Sequence, residues 1–243
     1  MPDAPSSAAP LILALETATS CGSVALVGEG RCLAEFSLNT SRSHSRRLLA
    51  GVELLLAETE RAWAEVDAIA VSLGPGSFTG LRIGLATAKG LCFATGKPLI
   101  GVPTLEGLAA QFPFAGLPIR PLLDARKKEV YTGLYQCSAE GGPRQAEEFQ
   151  VLPPERLIEL IEGPTLLVGD ALLLYGAFFQ ERLREKALLA PPQTCFPRAA
   201  AIGLAAQHRF TAGAFSEAAT CAPIYVRASD AELQLGAKTS PRP

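Results

Sequence analysis

Apolar positions come in short runs at the start of the chain and at helical spacing further on. "LILALE" (11–16), "SVALVG" (23–28) and "CLAEFSL" (32–38) are apolar or alternating, with "TATSCG" and "EGR" between them, which predicts a meander of three antiparallel strands. From His44 the period changes. Leu48, Leu49, Val52, Leu55, Leu56 and Thr59 recur every three or four residues, predicting an amphipathic helix over 44–60. "AIAVSL" (68–73) predicts a strand, "GPGSFTG" a glycine-rich turn, and 80–96 a second helix.

Strand, strand, strand, helix, strand, helix describes one α/β lobe with a mixed sheet, because the helical crossover returns a strand parallel to the first. "KPLIGV" and "PTLEGLAAQF" carry the chain across. A second set then repeats the element order: strands at 119–125, 129–135 and 147–152, a helix at 154–162, a strand at 165–170 and a helix at 198–213. The expected organisation is a duplicated two-lobe α/β fold. An N-terminal extension covers 1–10, an N-terminal lobe 11–103, a C-terminal lobe 104–227 and a tail 228–243, with the last helix able to pack back on the N-terminal lobe.

Composition narrows the functions. At 48% hydrophobic and 19% charged residues, the 243-residue chain holds more apolar surface than two small lobes need, which fits either an Ala/Leu-rich interior or a covered interface. A net charge of −2 excludes a domain devoted to gripping a nucleic-acid backbone, so any such contact is local. The basic clusters are Arg42 to Arg47 and Ala125 to Glu129, the latter with Lys127 and Lys128. The six cysteines form no C-x-x-C pair and read as buried thiols in a reducing compartment. Asp3 stands where a signal peptide would be basic, and the apolar run stops at Glu16, so the expectation is a cytoplasmic protein with no membrane span.

The turn formed by Gly74, Pro75, Gly76, Ser77, Phe78, Thr79 and Gly80 poses the chemical question. It has Leu81 and Arg82 where a Walker loop needs Lys and Ser/Thr, and its glycines are spaced G-x-G-x-x-x-G, one residue off a dinucleotide fingerprint. Either it cradles an anion at a helix start, or it makes a tight turn that Ser77 or Thr79 caps. Only His44 and His208 are present, with no metal-ligand spacing and no G-x-S-x-G elbow. Glu16 and Asp124, at strand ends, are the remaining acid candidates, and strand-end carboxylates also serve as caps and turn formers.

The helix over 80–96 lines one face with Leu81, Leu85, Ala88 and Cys92, yet the other side carries Ile83, Ala86, Thr87, Gly90, Phe93 and Ala94, with only Arg82 and Lys89 charged. A helix apolar all round is buried all round, against its own lobe or against a partner. In the helix over 44–60, Ala50, Leu54 and Ala57 form a similar second stripe. The candidate partner interface is therefore Ala50, Leu54, Ala57, Arg82, Ala86, Lys89, Gly90 and Phe93.

"LILALETATSCGSVAL", "SLGPGSFTGLRIGLATAKGL", "PLIGVPTLEGLA", "LLDARKKEVYTGLY", "VGD" and "PIYVR" resemble, in order, the TsaB (YeaZ) family, accessory proteins of bacterial tRNA threonylcarbamoyladenosine synthesis. The resemblance implies an actin/Hsp70/sugar-kinase-like (ASKHA) fold. It also implies a non-catalytic role as partner of TsaD, which transfers threonylcarbamoyl to adenosine 37 of ANN-decoding tRNAs, with the ATPase TsaE joining the assembly. In that family the N-lobe helices pair with those of TsaD, here 44–60 and 80–96. TsaD carries a His-x-x-x-His metal pair where this chain has Thr104 and Leu108, and leucine has no donor atom. The superfamily's first hairpin usually begins with Asp; here it is Glu16.

The expectation is a scaffold with no catalytic residue, cofactor or metal of its own, ATP and metal belonging to partner subunits. tRNA is engaged only indirectly, and the free chain can form a homodimer. The alternatives are an ATP-dependent phosphotransferase or ATPase of the same superfold and, more remotely, a metallopeptidase.

Overall fold

The computed structural model describes residues 9–39, 45–138 and 141–227. The meander is β1 (Ile12–Glu16), β2 (Cys21–Gly28) and β3 (Arg31–Asn39), paired antiparallel. Then come α1 (Ser45–Glu58), β4 (Ala68–Ser72), α2 (Phe78–Thr95), β5 (Leu99–Val102) and α3 (Thr104–Ala109). The second half runs β6 (Ile119–Arg126), β7 (Glu129–Ser138), β8 (Gly141–Leu152), α4 (Pro154–Glu159), β9 (Thr165–Val168), α5 (Leu172–Leu183), β10 (Ala187–Leu189) and α6 (Ala199–Thr211).

Duplication is visible in the strand order. One five-stranded sheet is β3-β2-β1-β4-β5 and the other is β8-β7-β6-β9-β10. In each, a meander supplies the antiparallel side, and two helical crossovers supply the parallel strands. This is the duplicated two-lobe organisation of mixed sheets flanked by helices that the element order predicts.

Each face of the first sheet is buried, for a reason legible in strand alternation. Leu13 and Leu15 of β1 face Leu48, Val52, Leu55 and Leu56 of α1 and Leu85, Ala88 and Cys92 of α2. Ile12 and Ala14 face the opposite way, onto Ala199, Ile202, Ala205 and Ala206 of α6. The final helices are thus exchanged: α6, late in the chain, covers the first sheet, while Leu105 and Leu108 of α3 enter the core of the second. Each fully buried leucine in these layers contributes about 1.5–3 kcal/mol.

Several elements differ from the sequence reading. Leu99–Val102, read as part of the crossing, is β5, a strand of four residues at the edge of the first sheet. α5 and β10 were not anticipated: Leu172, Leu173 and Leu174 are consecutive and show no helical period, and β10 has only three residues. α2 starts at Phe78 instead of residue 80, because Ser77 is its N-cap. α4 ends at Glu159, short of the expected 162, and β8 begins at Gly141, ahead of the expected 147. His44 lies outside the described residues, as do most of the N-terminal extension and the tail 228–243.

Candidate functional site

The 74–80 turn closes on the chain itself. Ser77 N donates to the Ala18 carbonyl at 2.7 Å, Gly74 N to Thr104 Oγ1 at 3.0 Å and Gly80 N to Ser77 Oγ at 3.3 Å. Three of the turn's amides that could meet a phosphate are therefore already engaged. The glycines serve close approach instead: a Cβ on Gly80 would lie 2.0 Å from the Thr17 carbonyl, and one on Gly84 2.2 Å from Thr17 Oγ1. Gly74 adopts a φ of +110°, a region L side chains rarely adopt, and its Cβ would meet the Ile224 carbonyl at 2.9 Å. Pro75 is buried and Gly76 half-buried, while Ser77, Phe78 and Thr79 are exposed. The turn clamps α2 against the β1–β2 connection.

The strand-end acids are held apart in character. Glu16 is fully buried; its Oε1 accepts from Ala18 N, while its Oε2 and the nearby Ser72 Oγ lack partners of normal geometry. Burial pushes its carboxyl up to about 7, against the pull of the Ala18 amide. In the second lobe the Asp124 amide donates to Asp170 at 2.9 Å, and burial, aided by the Asp124 charge, pushes Asp170 up to about 6. Thr104 and Leu108 are both fully buried, Thr104 at the first turn of α3 and Leu108 in the core of the second sheet. His208 is exposed on α6, and among the described residues no group of His, Cys, Asp or Glu is placed to hold a metal. The cysteines are free thiols; Cys21, Cys92 and Cys195 are buried as expected, but Cys137 and Cys221 are half-buried and Cys32, on the outer strand β3, is exposed, and desolvation raises the pKa of each.

The outer face of α1 and α2 is the most unusual surface. Leu81, Leu85, Ala88 and Cys92 are buried, and Gly80 and Gly84 are taken up by Thr17. On the other side Ala86, Gly90 and Ala94 are exposed, and Phe93 is 94% exposed. A Cβ on Gly90 would touch nothing within 4 Å. On the neighbouring α1, Ala50, Leu54 and Ala57 are exposed as well. Leu49, placed in the core period by sequence, is 46% exposed and flanks this stripe. The described part of the chain leaves this apolar face uncovered.

Sequence reasoning missed the segment that follows α6. Ser216 N donates to the Leu99 carbonyl at 2.8 Å, and Lys89 Nζ reaches the Ala219 carbonyl at 3.4 Å. Ile224 N donates to the Leu73 carbonyl at 2.7 Å. Tyr225 packs on Phe78 with ring centroids 5.3 Å apart, while Arg82 Nε donates to its hydroxyl at 3.1 Å. Arg227 then crosses to the second lobe, donating to Glu129 at 2.6 Å and to the Ala125 carbonyl at 2.9 Å. Arg82 and Lys89 are thus engaged by this strap at the rim of the apolar face. Only contacts between segments some hundred or more positions apart in the sequence reveal it.

Comparison with known proteins agrees with this architecture. The family model described as TsaD, tRNA N6-adenosine threonylcarbamoyltransferase, matches residues 34–235. The tRNA threonylcarbamoyladenosine biosynthesis protein TsaB of Bacillus subtilis (strain 168) is 31% identical, over 92% of this chain and 96% of its own. The protein of the same name from Escherichia coli (strain K12) is 37% identical, over 65% of this chain and 70% of its own. The solved structure of YeaZ from Pseudomonas aeruginosa superposes with a TM-score of 0.76 at 36% identity, covering 89% of this chain and 99% of that one. With its twin mixed sheets and the 74–80 turn in place, the chain belongs to the TsaB (YeaZ) family, whose members are named for tRNA threonylcarbamoyladenosine biosynthesis.

Proposed function

We propose that this chain is a non-catalytic subunit that docks through the outer face of α1 and α2 onto the threonylcarbamoyltransferase TsaD, and that TsaE joins the resulting assembly. The observation that carries the reading is the uncovered apolar surface around Phe93, Ala86 and Gly90 beside Leu54. Small residues at its centre let a partner backbone come close, and Phe93 is an anchor of the kind that dominates binding energy. The match of a transferase family model to this chain supports a partner with corresponding helices, hence a pseudo-twofold pairing. The same face accounts for self-association when the partner is missing.

Nucleotide and metal chemistry we assign to the partner subunits. The engaged amides of the 74–80 turn and the buried, high-pKa Glu16 speak against phosphotransfer by this chain. The test is co-purification of the Ala86→Arg/Gly90→Arg double variant with TsaD. Both positions are exposed, so the variant folds, and loss of co-purification is expected. Retention of the complex by the folded variant overturns the interface. Magnesium-dependent ATP turnover by the isolated chain overturns the non-catalytic reading.

A further inference from the structure

We propose that the β6–β7 turn and the Tyr225 ring, linked by the strap that follows α6, form a local contact site for single-stranded RNA. The tip of the turn is Arg126, Lys127 and Lys128, all exposed, with φ of 62°, 52° and 60°. Successive non-glycine residues in the left-handed region are strained, and glycine would relieve that strain. The chain instead carries cationic side chains there. The Arg126 guanidinium meets Asp124 at 3.1 Å yet stays 84% exposed, leaving most of it open to an incoming anion.

Arg227 fixes this tip from the strap, through Glu129 and the Ala125 carbonyl. Tyr225 stands two residues earlier, within about 7 Å along the chain. Its ring pairs with Phe78; the two are 43% and 38% exposed, and the Arg82 guanidinium lies 3.9 Å from the Phe78 centroid. Arg82 thus covers Phe78, the half-exposed Tyr225 ring is left for a ligand, and the same strap ties Arg227 to the base of the basic turn. Phosphates would meet the turn while a base stacks on the Tyr225 ring, the combination by which single strands are held without sequence preference. An acidic protein surface would use the cations and leave that ring idle. At the turn, Arg126, Lys127, Lys128 and Arg227 outnumber Asp124, Glu129 and Asp170, on a chain of net charge −2. The site shares Arg82 with the rim of the α1–α2 face, while the turn and Tyr225 are not among that face's apolar residues Ala86, Gly90 and Phe93.

The test is fluorescence anisotropy of a labelled, unstructured single-stranded RNA titrated with the full chain at several salt concentrations. Lys127→Gly/Lys128→Gly removes two charges at positions where glycine is conformationally at ease, so thermal stability is retained. Its expected effect is at least about tenfold weaker binding, with a log–log salt slope shallower by about 1.4, or about 0.7 per lost phosphate contact. Tyr225→Leu is expected to weaken binding about fivefold or more with the slope unchanged. Absence of salt-dependent binding by the wild-type chain, equal binding by the glycine variant, or displacement of the RNA by polyglutamate at equal charge concentration overturns the proposal.

Discussion

Thr17 and Gly80 interlock in both directions. Thr17 Oγ1 donates to the Gly80 carbonyl at 2.8 Å, and the Thr17 carbonyl stands 2.0 Å from where a Cβ on Gly80 would be built. Backbone has to move to admit even a methyl group, so Gly80→Ala is expected to cost about 1–3 kcal/mol. Gly90, on the same helix with open space around it, gives the contrast: Gly90→Ala is expected to stabilise the isolated chain by about 0.5–1 kcal/mol. Urea unfolding of the two variants measures the difference, and effects of the same sign would refute the clamp.

Glu16 sets a pH dependence. Its folded carboxyl titrates near 7 against an ordinary 4.5, so between those values the native state keeps a proton that the unfolded chain has lost. Stability therefore falls as pH rises through that window and levels off above it, by about 1.4 kcal/mol per pH unit and about 3 kcal/mol in all. Glu16→Gln removes the titration. Thermal melts should show the variant gaining on the wild type from about pH 4.5 to pH 7; parallel curves would contradict the buried acid.

Arg120 is 1% exposed and makes a two-bond ion pair with Glu147, at 2.9 and 3.0 Å. Glu147→Ala leaves that guanidinium buried without its counter-ion, at an expected cost of about 3 kcal/mol. Arg120→Met/Glu147→Leu removes both charges and is expected to recover most of the loss. Chemical denaturation decides it, and an additive double variant would argue against the pair.

On the proposed interface, Phe93 separates folding from assembly. At 94% exposure it supports little of its own lobe, so Phe93→Ser is expected to shift stability by less than about 0.5 kcal/mol. Calorimetric titration with TsaD is expected to show a loss of about 2 kcal/mol or more, the behaviour of an anchor residue. An unchanged affinity would move the interface elsewhere.

Much of the first lobe was legible because its elements are long or cleanly periodic: β1 to β3 alternate or run apolar, and α1 repeats every three to four residues. β5 and β10 were not, being four and three residues long, and α5 hides behind consecutive leucines. At the candidate site, Ala50, Leu54, Ala57, Ala86, Gly90 and Phe93 stood out as apolar residues where an isolated helix wants polar ones. Leu49 read as core because its spacing suits either side of the helix, and only packing turned it outward.

By itself, the sequence determined the strand meander and first two helices of the N-terminal lobe, the repeated α/β order in outline and the mismatch on α1 and α2, because these follow from local periodicity and side-chain polarity. Tertiary structure decided which glycines touch backbone, that Glu16 is shut off from the surface, and that Tyr225 and Arg227 return to the 74–80 turn and the β6–β7 hairpin. Those properties depend on residues far apart in the chain. Local pattern carries no record of which distant segment will fill the space beside it.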